Sequence, residues 1–162
     1  MASCVFPGSF DPVTRGHLDL ISRAAAVFDH VTVTVMINIS KKGAFSAEER
    51  VSMLKRICAS FPNVEVDSWS GLLADYMKQK GERTVLRGLR SSAEFDHEYV
   101  SFCANRMLNQ EIDTVFLPCD PVLNGVSSSA VREIAAFGGD IRSFVPEELT
   151  EEIRKHLSKK QS

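Results

Sequence analysis

A glycine, a hydroxyl and a histidine lie close together in the stretch FPGSFDPVTRGH, which runs from Phe6 to His17. Apolar residues before this stretch predict a strand, and the residues that follow Gly16 predict a helix. Turn-forming residues account for part of its composition, but Ser9 and His17 can also donate hydrogen bonds to a ligand. Ligands of open α/β sheets bind at the loops that follow the strands, so this loop is a candidate ligand site.

Polar residues also follow the other predicted strands. They are Lys41 and Lys42, Ser70 and Gly71, Arg87 and Arg90, and Asn124 with Ser127 to Ser129. Because the carboxyl ends of parallel strands lie at one edge of a sheet, we expect these residues to converge. Cations, hydroxyls and the amides at a helix N-terminus all bind anions. The pattern therefore predicts a cleft that takes a polyphosphate.

Several common catalytic and phosphate-binding motifs are missing from the sequence. It contains no G-x-x-x-x-G-K-[ST], no G-x-G-x-x-G at the first helix, no G-x-S-x-G and no HExxH. These absences argue against a P-loop enzyme, an ordinary dehydrogenase, an α/β-hydrolase and a zinc protease. The cysteines, at positions 4, 58, 103 and 119, lack the spacing of a zinc site or a disulfide framework. We expect reduced thiols and no metal bound by the protein's own side chains.

Strands that alternate with helices must position these loops. Apolar and β-branched runs predict strands over residues 3–6, 31–37, 63–69, 83–88 and 113–118, with helical spacing after each strand. Ser46 and Glu49 have capping-box spacing, which places the start of the second helix at Ser46. The alternation predicts an α/β fold that is Rossmann-like, with a five-stranded parallel sheet and helices on both faces.

Composition is that of an ordinary globular protein, with 162 residues, 44% hydrophobic residues and a formal net charge of −2. It argues against a disordered chain, a membrane protein and a general nucleic-acid binder. No basic segment precedes a long apolar run, so we expect a cytoplasmic protein without nucleic-acid or membrane partners. Residues 1–162 are expected to form one domain, with a final helix at about 147–159 and a basic, frayed tail.

Four motifs, in order and at matching spacing, resemble those of a known family. The stretch PGSFDPVTRGH resembles the (T/H)-x-G-H signature of the nucleotidyltransferase superfamily, and SKK, LRGLR and VSSSAVRE fall where the phosphopantetheine adenylyltransferases have matching elements. The resemblance covers almost the whole chain. It implies that ATP and 4′-phosphopantetheine, with Mg²⁺, give dephospho-coenzyme A and pyrophosphate, the penultimate step of coenzyme A biosynthesis. It also implies a homohexamer and coenzyme A as a feedback ligand.

The resemblance further implies which residues bind the acceptor substrate. By this match, Ser9 and Lys41 hold the phosphate of phosphopantetheine. Arg87 faces the same substrate, and Leu73 lines its pantetheine arm. The chemistry agrees with these residue types, because the attacking phosphate is already a nucleophile. The protein then needs to supply only positioning and charge stabilisation.

Catalytic and nucleotide-binding roles are implied in the same way. The implied catalytic residues are His17, Lys41 and Arg90, of which His17 and Arg90 contact the ATP phosphates. These donors are of the kind that stabilises charge on the equatorial oxygens of a transferring group. The implied nucleotide-binding set is Ser9, Phe10, His17, Gly88, Leu89, Arg90, Glu98, Leu123, Asn124, Gly125, Val126, Ser127, Ser128 and Ser129.

Each of these residue types also has an ordinary structural use. A histidine in a first helical turn can be satisfied by its own neighbours, as His17 would be, and Ser9 can serve as a turn hydroxyl. The two arginines of LRGLR can instead form ion pairs on the next helix, with Glu94, Asp96 or Glu98. The motifs taken together favour the ligand roles over these structural ones.

The serine motif carries one departure from the family pattern. Many members have an aromatic and a second bulky residue just before the triple serine, where this chain has VLNGV. The family pattern therefore does not say which residues of this loop contact adenine. Leu123 can pack on the base, and Gly125 permits the loop backbone to approach the nucleotide closely. Ser127 to Ser129 also suit a helix N-cap, a role compatible with nucleotide binding because both use the same helix end.

Three other functions remain open on the sequence alone. A sister enzyme, such as a cytidylyltransferase acting on a small phosphate ester, would share the first motif but not the full-length match. A regulator that binds a nucleotide or coenzyme A without catalysis would not need Ser9, His17, Lys41 and Arg90 together. A purely structural α/β module would not explain cations after successive strands.

Overall fold

The computed structural model describes residues 1–158. Its strands are β1 (Ser3–Gly8), β2 (His30–Ile37), β3 (Val64–Ser70), β4 (Thr84–Leu89) and β5 (Asp113–Pro118). Its α-helices are α1 (Arg15–Val27), α2 (Ala47–Cys58), α3 (Leu73–Lys80), α4 (Ser92–Leu108), α5 (Ser128–Ala136) and α6 (Thr150–Ser158). Short 3₁₀ turns occupy Pro121–Leu123 and Glu147–Leu149. The predicted alternation of strands and helices is confirmed.

The five strands form one parallel sheet in the order β3-β2-β1-β4-β5. The chain moves outward from β1 to β3 and then crosses back to place β4 on the other side of β1. The loops that follow β1 and β4 therefore lead away from each other. A crevice opens between them, which is where ligands bind in sheets of this kind.

Helices pack on both faces of the sheet, as predicted. Successive residues of β1 point to opposite faces, so Cys4 and Phe6 join the larger apolar cluster, which includes buried residues of α1, α2, α5 and α6. Val5 and Val85 join the smaller cluster with α3. The sheet is thereby buried from both sides, and its strand ends are left to carry the site.

Capping residues set the helix ends near the site. α1 begins at Arg15, slightly before the predicted start, because the Thr14 side chain accepts a hydrogen bond from the first turn. α2 has the predicted capping box, with Ser46 as the N-cap and Glu49 reaching back to the Ser46 backbone N–H. Gly81, with a φ of 70°, ends α3, as expected for a left-handed C-cap.

The C-terminal segment packs back onto the main core. The predicted helix at about 147–159 corresponds to the turn Glu147–Leu149 followed by α6, in which Ile153 and Leu157 are buried. Residue 159 and the predicted basic tail lie outside the described residues. Within residues 1–158, no helix combines the length and the apolar character that crossing a bilayer requires.

Gly88 allows β4 to pack directly on α1. A methyl group at Gly88 would lie 2.3 Å from Leu20 Cδ1 and 3.4 Å from Cys119 Sγ, and Leu20 is buried in the core. We expect Gly88→Ala to lower the free energy of unfolding by about 1–3 kcal/mol, the usual cost of overpacking, as measured by urea denaturation. Gly125→Ala is the matched control, since a methyl group there meets no atom within 4 Å. Equal losses in the two variants would contradict the packing role of Gly88.

Candidate active site

The loop between β1 and α1 is held from outside by side chains of β4, α2 and α5. These side chains donate hydrogen bonds to backbone carbonyls in and beside the loop: Arg87 to Pro7 at 2.9 Å, Arg50 to Ser9 at 2.8 Å, Arg132 to Asp11 at 2.5 Å and Ser128 to Pro12 at 2.7 Å. Phe10 takes a φ of 47°, a left-handed conformation that few residues other than glycine adopt. The loop is thus given a defined shape by the protein itself.

The Asp11 carboxylate ties this loop to the one between β2 and α2. Its oxygens accept hydrogen bonds from the backbone N–H groups of Ala44 at 2.7 Å and Phe45 at 2.8 Å. Asp11 is buried, so these bonds are shielded from competing water. Lys41 belongs to the same loop, and Asp11 therefore sets where this lysine lies relative to Ser9.

The hydrogen bonds of His17, in the first turn of α1, define its tautomer. The Thr14 backbone N–H donates to His17 Nδ1 at 3.0 Å, so the proton of the neutral ring is on Nε2. The Phe10 ring packs edge-on against the imidazole, with 4.8 Å between the ring centroids. Burial, together with the nearby charges of Arg90 and Arg87, lowers the pKa of His17 to about 4. At neutral pH the ring is therefore uncharged, with Nε2–H as a donor.

The structural use of His17 accounts for only one side of the ring. Nδ1 completes the capping box with Thr14. This is the hydrogen bonding to neighbouring residues that the sequence allowed as the structural alternative for His17. Nε2 makes no hydrogen bond within residues 1–158, and no buried side-chain nitrogen or oxygen in that part of the chain lacks a partner. Nε2 is therefore accessible, and its proton is available to a ligand.

Arg87 and Glu98 form a two-point ion pair. Arg87 Nε and Nη2 each donate to a Glu98 carboxylate oxygen at 2.6 Å, so the ion pairing that the sequence allowed is present. The bond from Nη1 to Pro7 uses a third N–H. A guanidinium has five N–H bonds, and one on each terminal nitrogen therefore remains for a ligand.

Arg90 is also paired, and it links two loops. Its Nη2 lies 2.5 Å from a Glu94 carboxylate oxygen, and its Nη1 donates to the Val126 carbonyl at 3.3 Å. The Arg90 backbone N–H donates to the other Glu94 oxygen at 2.8 Å. The loop that follows β4 is thereby held beside the loop that precedes α5, so two of the predicted nucleotide-binding segments are neighbours.

Lys41 and Lys42 are different from these arginines because both are exposed. Neither side chain has an ion-pair partner among residues 1–158, and both line the main cleft. The Lys41 backbone N–H donates to the Asn38 carbonyl at 3.1 Å, which closes the turn after β2. The two lysines therefore bring positive charge that an anion in the cleft can meet without first displacing a carboxylate.

A cleft of about 1240 Å³ lies at the crevice between the ends of β1 and β4. It is lined by all of the residues predicted to bind the acceptor, namely Ser9, Lys41, Leu73 and Arg87. Glu98, predicted as a nucleotide contact, lies on the same wall because of its ion pair with Arg87. The structure therefore brings the acceptor set together at one place.

The remaining predicted residues lie outside that cleft. His17, Arg90 and residues 123–129 do not line it, while Leu89 and Arg90 line a separate hollow of about 670 Å³. The two groups of predicted residues meet at the β1–α1 loop. Ser9 faces the first group, and the Phe10 ring that follows it contacts His17.

Each serine of the triple-serine motif makes a different contact. Ser127, one of the three serines predicted to supply an N-cap, caps α5, and its Oγ accepts from the N3 backbone N–H at 3.1 Å. Ser128 Oγ donates to the Pro12 carbonyl at 2.7 Å, which ties α5 to the β1–α1 loop. Ser129 is exposed, and its Oγ accepts from Arg132 Nη2 at 3.2 Å. The N-cap prediction is confirmed.

The loop before these serines is open to solvent. Leu123 ends a 3₁₀ turn and is half-buried, whereas Asn124 and Gly125 are exposed. The Val126 backbone N–H donates to the Leu123 carbonyl at 2.9 Å, so the segment forms a closed turn. This turn leaves the Asn124 side chain and the Gly125 backbone accessible at the surface.

Arg50 and Arg132 also line the cleft, and neither is among the site residues predicted from the sequence. Both lie within helices, where an arginine is usually part of the solvent-exposed face. Arg132 belongs to the quoted motif VSSSAVRE, which is a signal that could have singled it out. Arg50 follows the α2 capping box, and nothing local distinguishes it from the other charged residues of that helix.

The described residues contain no side-chain cluster suited to a resident metal ion. Within residues 1–158, no group of three or more His, Cys, Asp or Glu side chains is placed to hold one. The carboxylates that line the cleft, Asp11 and Glu98, have both oxygens engaged by N–H donors. The cleft therefore presents mainly hydrogen-bond donors to a ligand.

A solved structure with the same fold comes from Vibrio parahaemolyticus and is provisionally assigned as a nicotinate-nucleotide adenylyltransferase. Its TM-score with this chain is 0.66 at 15% sequence identity, and the match covers 97% of this chain and 95% of that one. At such low identity the likeness concerns the fold alone. It agrees with the five-stranded parallel sheet described above.

Sequence comparisons identify the family. A family model described as cytidylyltransferase-like matches residues 5–134. The chain is 47% identical to a phosphopantetheine adenylyltransferase of Clostridium perfringens, over 95% of this chain and 94% of that protein. It is 45% identical to one of Clostridium kluyveri, over 98% and 97% of the two chains. The chain therefore belongs to the cytidylyltransferase-like family and, within it, to the phosphopantetheine adenylyltransferases.

Proposed function

We propose that this protein transfers the adenylyl group of ATP to 4′-phosphopantetheine, which gives dephospho-coenzyme A and pyrophosphate. The observation that carries the proposal is identity of 43–47% over nearly the full length to curated relatives that share one name. This reaction is the penultimate step of coenzyme A biosynthesis. A cleft lined by cations at the crevice of the sheet supports it, because both substrates and both products are phosphate esters or anhydrides.

In this reaction a phosphate oxygen of phosphopantetheine attacks the α-phosphorus of ATP. A new P–O bond forms, the bond from the α-phosphorus to the β-phosphate oxygen breaks, and its electron pair leaves with pyrophosphate. The nucleophile arrives already ionised, so no side chain has to remove a proton from it. The contribution of the protein is to align the two anions and to stabilise the charge that shifts between them.

His17 is proposed to supply a neutral donor to the transferring group. Its Nε2–H is accessible, and its Nδ1 is anchored by Thr14, so the ring is oriented before substrate binds. A preorganised donor of this kind stabilises charge that develops in the transition state at little reorganisation cost. The nearby Arg90 supplies positive charge for the ATP phosphates.

The acceptor phosphate is proposed to bind Ser9, Lys41 and Arg87 in the main cleft. The exposed Lys41 can approach a phosphate freely, while Arg87 offers only the N–H bonds that Glu98 and Pro7 leave. Leu73 begins α3 and lines the same cleft, so an apolar surface is ready for the pantetheine arm. A cleft with both charged groups and apolar surface suits a substrate that has a phosphate at one end and the pantetheine arm beyond it.

The remaining nucleotide contacts are proposals on the same basis. They are Phe10, Gly88, Leu89, Glu98 and residues 123–129. Magnesium is proposed to enter with ATP and to be held mainly by the ATP phosphates and water, as is common for this ion. That arrangement fits a cleft in which the carboxylates are already engaged.

Assembly, regulation and location are proposed from the family relationship. We propose a homohexamer that uses the outer face of α4, because none of its seventeen residues is buried and Phe95, Tyr99 and Met107 are exposed. Coenzyme A contains the pantetheine arm of the acceptor, so we propose that it binds as a feedback ligand. We propose a cytoplasmic enzyme whose residues 1–162 act as one catalytic domain.

An assay of the purified protein tests the function. With ATP, magnesium and phosphopantetheine it should release pyrophosphate, and His17→Ala should lower turnover by about 100-fold to 1,000-fold, the loss typical for one preorganised donor. Calorimetry should show little change in the binding of either substrate to His17→Ala. His97→Ala, at an exposed position of α4, is the control and should keep full turnover. Substrate binding without pyrophosphate release by the unaltered protein would instead indicate a non-catalytic regulator.

The ring of His17 should remain neutral in mildly acidic solution. Since burial and the two arginines hold its pKa at about 4, imidazole ¹H–¹⁵N spectra should show the Nε2–H tautomer at pH 5.5, where free histidine is mostly charged. A charged His17 ring at that pH would contradict the assignment. Between about pH 6.5 and 4 the unfolded chain binds more protons at this residue than the folded chain, so the stability linked to His17 falls as the pH is lowered through that range.

Arg87 and Arg90 should act on different substrates. Arg87 lines the acceptor cleft and Arg90 does not, so Arg87→Ala should weaken mainly phosphopantetheine binding and Arg90→Ala mainly ATP binding. We expect each loss to be about 10-fold or more, as for a hydrogen bond to a charged group, in calorimetric titrations of properly folded variants. Arg83→Ala removes an exposed arginine that precedes β4 and should change neither affinity. Equal losses for both substrates in both variants would overturn the division.

A further inference from the structure

Arg50 places a positive charge beside the cleft without a direct ion-pair partner. The residue is only 8% exposed. Its Nη1 donates to the Ser9 carbonyl at 2.8 Å, and its Nε donates to the Ser46 carbonyl at 3.2 Å. Both acceptors are neutral backbone groups, and no carboxylate within residues 1–158 lies at ion-pair distance from the guanidinium.

The other cations at the acceptor site are balanced or solvated in different ways. Glu98 neutralises Arg87, and Lys41 is exposed to water. A buried charge without a direct ion pair costs free energy, and an opposite charge brought into contact with it offsets part of this cost. Arg50 is therefore a position at which an anionic ligand would supply a contacting counter-charge.

One nitrogen of Arg50 is free to make that contact. Nη2 forms no hydrogen bond within residues 1–158, yet no buried side-chain nitrogen or oxygen in the described part of the chain lacks a partner. Nη2 is therefore accessible. Because Arg50 lines the cleft that also contains Ser9 and Lys41, we infer that this access is from the cleft.

We propose that Arg50 is a further binding residue for the phosphate of the acceptor substrate, an assignment that rests on the function proposed above. Nη2 donates to the phosphate, while Nη1 holds the backbone of Ser9, whose hydroxyl serves the same phosphate. A single guanidinium thus both shapes the loop and completes the anion site. Its planar fork makes these two contacts possible at once.

Calorimetric titrations with phosphopantetheine and with pantetheine separate the contribution of the phosphate to binding from that of the pantetheine arm. Arg50→Gln should bind phosphopantetheine about 10-fold to 100-fold more weakly, as expected for the loss of a charged hydrogen bond. Its affinities for pantetheine, which lacks the phosphate, and for ATP should be unchanged. Arg50→Lys keeps the charge and should recover part of the difference. Arg56→Gln, on the same helix and paired with Glu152, is the matched control and should behave as the unaltered protein.

A merely structural role for Arg50 predicts a different result. If Arg50 acted only by shaping the Ser9 loop, Arg50→Gln would cause no further loss of phosphopantetheine affinity in a Ser9→Ala background, and that outcome would overturn the proposal. Should the variant fail to fold by circular dichroism, a crystal structure of the unaltered protein with phosphopantetheine decides instead. A phosphate oxygen within hydrogen-bond distance of Nη2 would support the proposal, and a phosphate held only by Lys41 and Arg87 would overturn it.

Failure of the proposed function would be seen separately. In that case the unaltered protein would bind no phosphopantetheine, whatever residue stands at position 50. Titration with inorganic pyrophosphate then tests the anion site by itself. A pyrophosphate affinity lowered by Arg50→Gln but not by Arg56→Gln would support the site, and equal affinities in all three proteins would overturn it.

Discussion

The backbone of the β1–α1 loop depends on hydrogen bonds that it cannot make to itself. Its carbonyls accept instead from Arg50, Arg87, Arg132 and Ser128, which belong to three elements distant in sequence. Each of these bonds forms only when the sheet and the helices around it are already in place. The position of Ser9 is therefore a consequence of the whole fold, although the residue lies within one short motif.

Cations at this edge of the sheet are held in three electrostatic states. Arg87 and Arg90 are paired with carboxylates of α4, Lys41 is solvated, and Arg50 is buried without a direct ion-pair partner. An anion that enters the cleft would meet all three at once. The neutral His17 completes the set, because neighbouring guanidiniums and burial keep its ring uncharged and make it a donor. The site is thus rich in donors while carrying few unpaired charges.

Parallel strands explain why most residues proposed to bind the acceptor lie apart from most of those proposed to bind the nucleotide. The loops after β1 and β4 diverge at the reversal of strand order, so residues on either side of the β1–α1 loop face different spaces. Asp11 fixes the lysine loop on one side, and Ser128 fixes the N-terminus of α5 on the other. In the proposed reaction the acceptor phosphate must reach the α-phosphate of ATP. The β1–α1 loop lies between the two groups of proposed binding residues, where these phosphates would meet.

Local patterns in the sequence were sufficient to predict the fold and several helix ends. Strand alternation, the Ser46 capping box and a serine N-cap within residues 127–129 all depend on neighbouring residues, so each could be predicted and is confirmed. The pairing of Arg87 with Glu98, the lowered pKa of His17 and the burial of Arg50 without a direct ion pair required the tertiary structure. These features depend on which groups from distant elements come within a few ångströms, and on how much water remains between them. Spacing along the chain contains neither quantity.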